Sequence, residues 1–399
     1  MTKKAILLSM IVLLFTTTTV LSPLISKAEA KSPTIVQPGD SIQEAIHAAH
    51  EGETIYIAPG TYFEYNIVVN KSVALVGENV NTTIIDATQK IAAIFIVRAN
   101  EVKIRSVTIR NTAIVGIGLS GVRVANVQNT EISDCIIENC IEGIELDNST
   151  HCNVMRNHVR SNYYQGIHLH GSSVRNQIVG NTIEDNKIGV YIDLGSSENT
   201  LYHNNFVNNQ LQQGGLGNTA NNWNNTYPFG GNHWSDYIGI DEFSGISQNE
   251  TNSDGIGDNS YTIYDISKDH YPLMEPVHFI NAGRWDDVSY YVAVASRSNI
   301  SDFYFNPNEG TFIRFSLILS EPVGTCRITI SRQLLWVDDL VEWAVSVDLT
   351  PANATIMEDD GYTYLYFTFH QGRKNVKITG THAIPEFSIC FDWMIGLAS

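Results

Sequence analysis

The chain has 399 residues, enough for two domains, and its 43% hydrophobic content is ordinary for a globular protein. With 24 basic against 42 acidic residues it carries a net −18, which excludes nonspecific binding to nucleic acid or to anionic lipid.

The first thirty residues read as a secretory signal. Lys3 and Lys4 precede an apolar run from Ala5 to Leu24, and Ala28-Glu-Ala30 offers small residues for cleavage. Its removal takes away three Lys and one Glu, leaving 21 basic against 41 acidic residues, a net −20. The mature chain is therefore expected to be secreted, periplasmic or at the cell surface. Five cysteines, Cys135, Cys140, Cys152, Cys326 and Cys390, leave at least one without an internal partner, and their spacing fixes no pairing.

Residues 31–285 read as one repeat array. Ser41 and Glu44 stand at capping-box spacing and predict a short helix with Ile42, Ala45, Ile46 and Ala49 on one face. Such a helix is suited to cover the open apolar end of a first coil. Apolar strand pieces follow at 54–57, 66–69, 73–76, 83–85, 93–97 and 102–109. Less regular copies of the repeat are visible at Gly116 to Leu119 and Asp134 to Asn139.

From Gly143 to Asn209 the period is explicit at 23 or 24 residues. Gly143-Ile-Glu-Leu-Asp147, Gly166-Ile-His-Leu-His170 and Gly189-Val-Tyr-Ile-Asp193 open successive copies, each followed by a piece headed by Asn157, Asn181 or Asn204 and closed by Asn162, Asn186 or Asn209. One such unit cannot bury its apolar face until neighbours stack on it, and it is too short for a helical repeat. The expected fold is all-β, a right-handed parallel β-helix with an N-terminal capping helix; if Asn157, Asn181 and Asn204 stack inside a turn, their amides can bond from coil to coil.

Strand alternation then sends Ile144, Leu146, Ile167, Leu169, Val190 and Ile192 inward and the residues between them outward. Coils stack about 4.8 Å apart, so Glu145, His168 and Tyr191 form one outward row and Asp147, His170 and Asp193 the next. Three readings of this patch stand side by side. It can be a solvated polar face. It can hold copper or zinc on His168, His170, Asp147 and Asp193, an imidazole and carboxylate set suited to those ions. It can act on an extended sugar chain, with Glu145 and Asp147 as paired carboxylates or His168 and Tyr191 as base and acid. An enzyme of this last kind would be a polysaccharide lyase, a C5-epimerase or a glycoside hydrolase, and a uronate substrate would need a cation or a placed arginine.

Downstream, Trp223, His233, Trp234 and Tyr237 can either stack sugar rings or cap the apolar interior. Glu250, Asn252, Asp254 and Asp258, with Asp241 nearby, place oxygen side chains around Gly255 in the manner of a calcium loop, without the terminal bidentate Glu. No organic cofactor is expected.

Asp40-Ser-Ile-Gln-Glu-Ala-Ile46 with Gly52-Glu-Thr-Ile-Tyr-Ile-Ala-Pro-Gly-Thr-Tyr62 resembles the entry unit of secreted carbohydrate-active β-helix proteins. Gly231-Asn-His-Trp-Ser-Asp-Tyr237, Asp254-Gly-Ile-Gly-Asp258 and Asp269-His-Tyr-Pro-Leu273 resemble the closing segment of the NosD-like family. That resemblance implies an exported β-helix of the periplasmic copper-binding type, or a surface relative with a carbohydrate-binding or sugar-hydrolysis module. The expected partner is an extracellular polysaccharide or surface glycan, or a divalent metal, bound without catalysis.

Residues 286–385 break the period. Six strand candidates separated by Asn, Pro and Gly turns predict a small β-sandwich with Trp336 and Trp343 in its core, similar to domains appended to NosD-like surface proteins. Ile384-Pro-Glu-Phe387 resembles the start of a sorting tail, but the residual tail, 386–399, is too short for the roughly 20 apolar residues of a membrane span.

Overall fold

The alternation of apolar residues sets the architecture. Ile144, Leu146, Ile167, Leu169 and Val190 are wholly buried, and each contributes on the order of 2 kcal/mol by leaving water. In the computed structural model these side chains fill a parallel β-solenoid whose three sheets have eight, seven and eight strands. Residues 34–384 are described, except 117, 194, 216–219, 265–266 and 286–287. The expected signal, the tail 386–399 and Cys390 lie outside them. Among the described residues no helix is long and apolar enough to cross a membrane.

The predicted helix forms at Ile42–Ala48 and buries Ile42 and Ile46 over the first coil. Ser41 caps it by accepting from the Glu44 amide at 3.2 Å. Glu64, one coil on, accepts from the Ile42 amide at 2.7 Å, so the helix is tied to the coil it covers.

The asparagines form three ladders. Asn157, Asn181, Asn204 and Asn232 pass amide bonds of 2.9–3.0 Å from coil to coil, Asn162, Asn186 and Asn209 do the same, and so do Asn176, Asn199 and Asn221. The third ladder had no counterpart in the sequence reading. The residue before the ladder Asn is left-handed at Arg156, Ser161, Arg175, Gly180, Asp185, Glu198, His203 and Asn208, which bends the strand and turns the amide inward. Three buried, unpaired cysteines head these ladders: the Cys135, Cys140 and Cys152 amides donate to Asn157, Asn162 and Asn176. Burial pushes the Cys135 and Cys140 thiols up to about 12 and that of Cys152 to about 11, so they are inert wall.

The leading glycines answer a steric demand. A Cβ at Gly166 would lie 2.7 Å from the Gly189 carbonyl oxygen, and one at Gly143 would lie 2.4 Å from that of Gly166. Close backbone approach at this corner admits no side chain.

The closing segment seals the far end. Phe206, Trp234 and Tyr261 stack at centroid separations of 4.2 and 4.3 Å, with Trp223 buried beside them; these aromatics cap the interior. Asp269 is fully buried and accepts from the Asn232 amide at 2.7 Å, the Trp234 indole at 3.0 Å and the Tyr271 amide at 3.1 Å. Burial pushes its carboxyl up to about 7. Gly231 leaves the space this carboxylate occupies.

The C-terminal part is an antiparallel sheet of eight strands with its own apolar cluster. Two pairs of predicted runs are each one long strand, Phe312–Ser331 and Tyr362–Thr379, because the intervening residues continue the ladder through a bulge between Leu319 and Val323. Trp343 is buried in the cluster, whereas Trp336 is half-buried and stacks on His382. The sheet is bound to the solenoid: Asn205 and Val277 exchange hydrogen bonds of 2.7 and 2.8 Å, and buried Arg327 donates to the carbonyls of Asp254 and Pro228.

Candidate functional site

Register brings the predicted patch together. In the seven-stranded sheet Glu145 pairs with His168 and His168 with Tyr191, while Asp147 pairs with His170. The two imidazoles stack at 4.6 Å, and the Tyr191 ring meets His168 edge-on at 5.4 Å.

Polar contacts then knit the rows. His170 Nε2 lies 2.8 Å from Glu145 Oε1, and its Nδ1 lies 3.6 Å from Asp147 Oδ1. His168 Nδ1 lies 3.2 Å from Glu142 Oε2. His168 Nε2 is buried without a hydrogen bond, with Asp193 Oδ2 3.4 Å away. Glu145, expected to face solvent, is only 3% exposed, because Ser120, Arg123 and His170 cover it.

Three residues of this cluster, Arg123, Ser120 and Glu142, were missed in the sequence. Arg123 Nη2 donates to Asp147 Oδ2 at 2.8 Å, and its Nε is buried 3.5 Å from Glu145 Oε1 without a hydrogen bond. The signal was there: Gly121-Val-Arg-Val-Ala125 repeats the pattern of the copy at Gly143, and it is this segment, not Gly116 to Leu119, that pairs with Glu142–Asp147. Arg156, Arg160 and Arg175 are spent elsewhere, on Asp134, Glu138 and Glu198.

These contacts set protonation. The Glu145 hydrogen bond raises the His170 imidazole above its ordinary value. Burial alone would raise the Glu145 carboxyl, but His170, Ser120 and Arg123 together hold it below the usual glutamate range. The Asp147 hydrogen bond raises Arg123 further. Four carboxylates (Glu142, Glu145, Asp147, Asp193) face one guanidinium, so the cluster carries −3 with neutral imidazoles. A divalent cation would nearly neutralise it.

The donor chemistry fits copper or zinc. Among the described residues one group of three or more His, Cys, Asp or Glu presents ligand atoms all within 4.8 Å of one another: Glu145, Asp147 and His170. His168 and Asp193, also expected as ligands, stand beside this group. The set offers imidazole nitrogen and carboxylate oxygen and no sulfur, as those ions accept. The expected calcium loop is not assembled in this way. Asp258 accepts from the Glu242 and Phe243 amides, buried Asp254 accepts from Ile256, exposed Asn252 donates to Thr355, and Glu250 is exposed. Asp241 takes the Asp254 and Gly255 amides. Asp258, Asp241 and Asp254 Oδ1 thus accept from backbone amides, while Asp254 Oδ2 is buried without a hydrogen bond.

The profile of the NosD family, described as periplasmic copper-binding protein, matches residues 35–239. The chain is 33% identical over 90 residues to the probable ABC transporter binding protein NosD of Stutzerimonas stutzeri, and 31% over 90 residues to that of Pseudomonas aeruginosa. Each alignment covers 23% of this chain and 18% of the relative, so less than a fifth of those proteins is spanned. Similar solved structures include the catalytic domain of a GH87 alpha-1,3-glucanase in complex with nigerose (TM-score 0.35, 17% identity, 50% of this chain and 39% of that one). Pectin methylesterase from carrot is another (TM-score 0.34, 16% identity, 48% and 66%). The family match spans just over half of the chain and coincides with the solenoid; the chain belongs to the NosD family.

Proposed function

We propose that this chain is an exported, noncatalytic binding protein that holds a copper or zinc ion on the outward face of its seven-stranded sheet. The observation that carries this reading is the convergence of Glu145, Asp147 and His170. These residues would hold the ion, and a bound ion would supply positive charge and open coordination positions on that face. His170 supplies the nitrogen, Glu145 and Asp147 the oxygens, while Arg123 orients Asp147. The burial of Glu145 under three partners supports a binding role over a nucleophilic one. The family's description supports copper in particular.

Isothermal titration of the exported chain with Cu(II) and with Zn(II) tests this. The expected result is saturable binding that His170→Ala removes; binding unchanged in that variant contradicts it.

A second reading is saccharide binding on the same face, favoured by an open cleft of about 560 Å3 beside the site.

A further inference from the structure

The cleft runs from one to four coils toward the N-terminus of the stacked imidazoles, from Asp147 back to Asn66. Register puts Arg98, Ala125 and Asp147 in one outward row, because Val97 pairs with Val124 and Ala125 with Asp147. Strands stack about 4.8 Å apart, so Arg98 and Asp147 stand two strands from each other with only the methyl of Ala125 between them. That small residue opens the floor, and the amides of Asn66 and Asn126 stand on its walls.

The charge of the lining is unusual for this chain. In a molecule of net −18 the cleft presents two guanidiniums, Arg98 and Arg123, against one carboxylate, Asp147. Asp147 is already bonded to Arg123 at 2.8 Å. Arg98 is exposed and has no hydrogen-bonding or ionic side-chain partner among the described residues. The buried Nε of Arg123 is likewise without a hydrogen bond. An unpaired guanidinium fork is a ready receptor for a carboxylate, and a space of this volume suits a ligand larger than a bare anion. Side-chain amides on the walls match sugar hydroxyls.

We propose that this cleft binds a carboxylated oligosaccharide, a uronate chain, with one uronate carboxylate on Arg98 and the adjoining ring hydroxyls on the asparagines. This rests on the saccharide reading given above and names its class. The exposed Arg98 side chain has no polar partner among the described residues, and its backbone bond to the Val69 carbonyl survives replacement, so the variant is expected to keep the fold.

The test is titration of the exported chain, in chelator-containing buffer, with an oligogalacturonate of defined length, its fully methyl-esterified form and monomeric galacturonate. The expected result is binding of the acid oligomer in preference to both others. Arg98→Ala should weaken that binding by about tenfold with the melting temperature unchanged, and added salt should weaken it in the parent chain. Equal binding of acid and ester oligomers overturns the carboxylate assignment while leaving the saccharide reading standing. Binding of neither overturns both. Equal binding of monomer and oligomer overturns the oligosaccharide class, and an acid preference that Arg98→Ala leaves intact overturns the placement in this cleft.

Discussion

At the proposed metal site, His170 is where protonation and metal binding would compete. Its folded value is raised by Glu145, so the proton is held more tightly than on a free imidazole, and a metal must displace it. Copper affinity is therefore expected to be highest in mildly alkaline solution and to fall with pH, starting above the ordinary histidine value of about 6.5. Titrations at several pH values check this; affinity independent of pH would count against His170 as ligand. Glu145→Gln should move the onset down toward the ordinary value, since it removes the charge that raises the imidazole. Individual residues were partly legible in the sequence. Glu145, Asp147, His168, His170, Tyr191 and Asp193 share one sheet face because period-two alternation and a fixed repeat dictate it. The burial of Glu145 was not legible, because it depends on Ser120 and Arg123, one coil earlier, where the repeat is imperfect.

At the scale of the element, each coil is held by its ladders as much as by its core. Asn181 donates to the Val154 carbonyl and to Asn204 and accepts from Asn157. Asn181→Ala strands those buried groups and should cost on the order of 3 kcal/mol, with denaturant melts as the check. Loss below about 1 kcal/mol would mean the ladder adds little beyond packing. Gly166→Ala should also destabilise, because its methyl would meet the Gly189 carbonyl. The strands, two of the Asn rows and the capping helix were readable, since each follows from a local pattern. The long strands 312–331 and 362–379 were not, because their continuity through turn-like residues is a property of the pairing, not of either segment.

For the whole molecule, the C-terminal sheet and the solenoid meet over His203, which is buried against Phe229 and bonded to its carbonyl at 2.9 Å. Burial pulls this imidazole down to about 4. A histidine whose folded value lies below its unfolded one contributes stability in full above about 6.5 and loses it as pH falls toward 4. The loss from this residue is on the order of 3 kcal/mol. Asp269, raised to about 7, has the opposite slope between its unfolded value and 7, so the parent's net profile mixes the two. The expected outcome is that His203→Gln flattens the acid limb of the melting-temperature profile relative to the parent, and equal slopes would contradict the assignment.

Glu145, Asp147 and His170 are proposed to form a metal site on the sheet face. The most direct measurement is the electron paramagnetic resonance spectrum of the chain loaded with Cu(II). A bound-copper signal with imidazole nitrogen coupling, lost in His170→Ala, is the predicted result; a spectrum identical in the parent and in His170→Ala would contradict it.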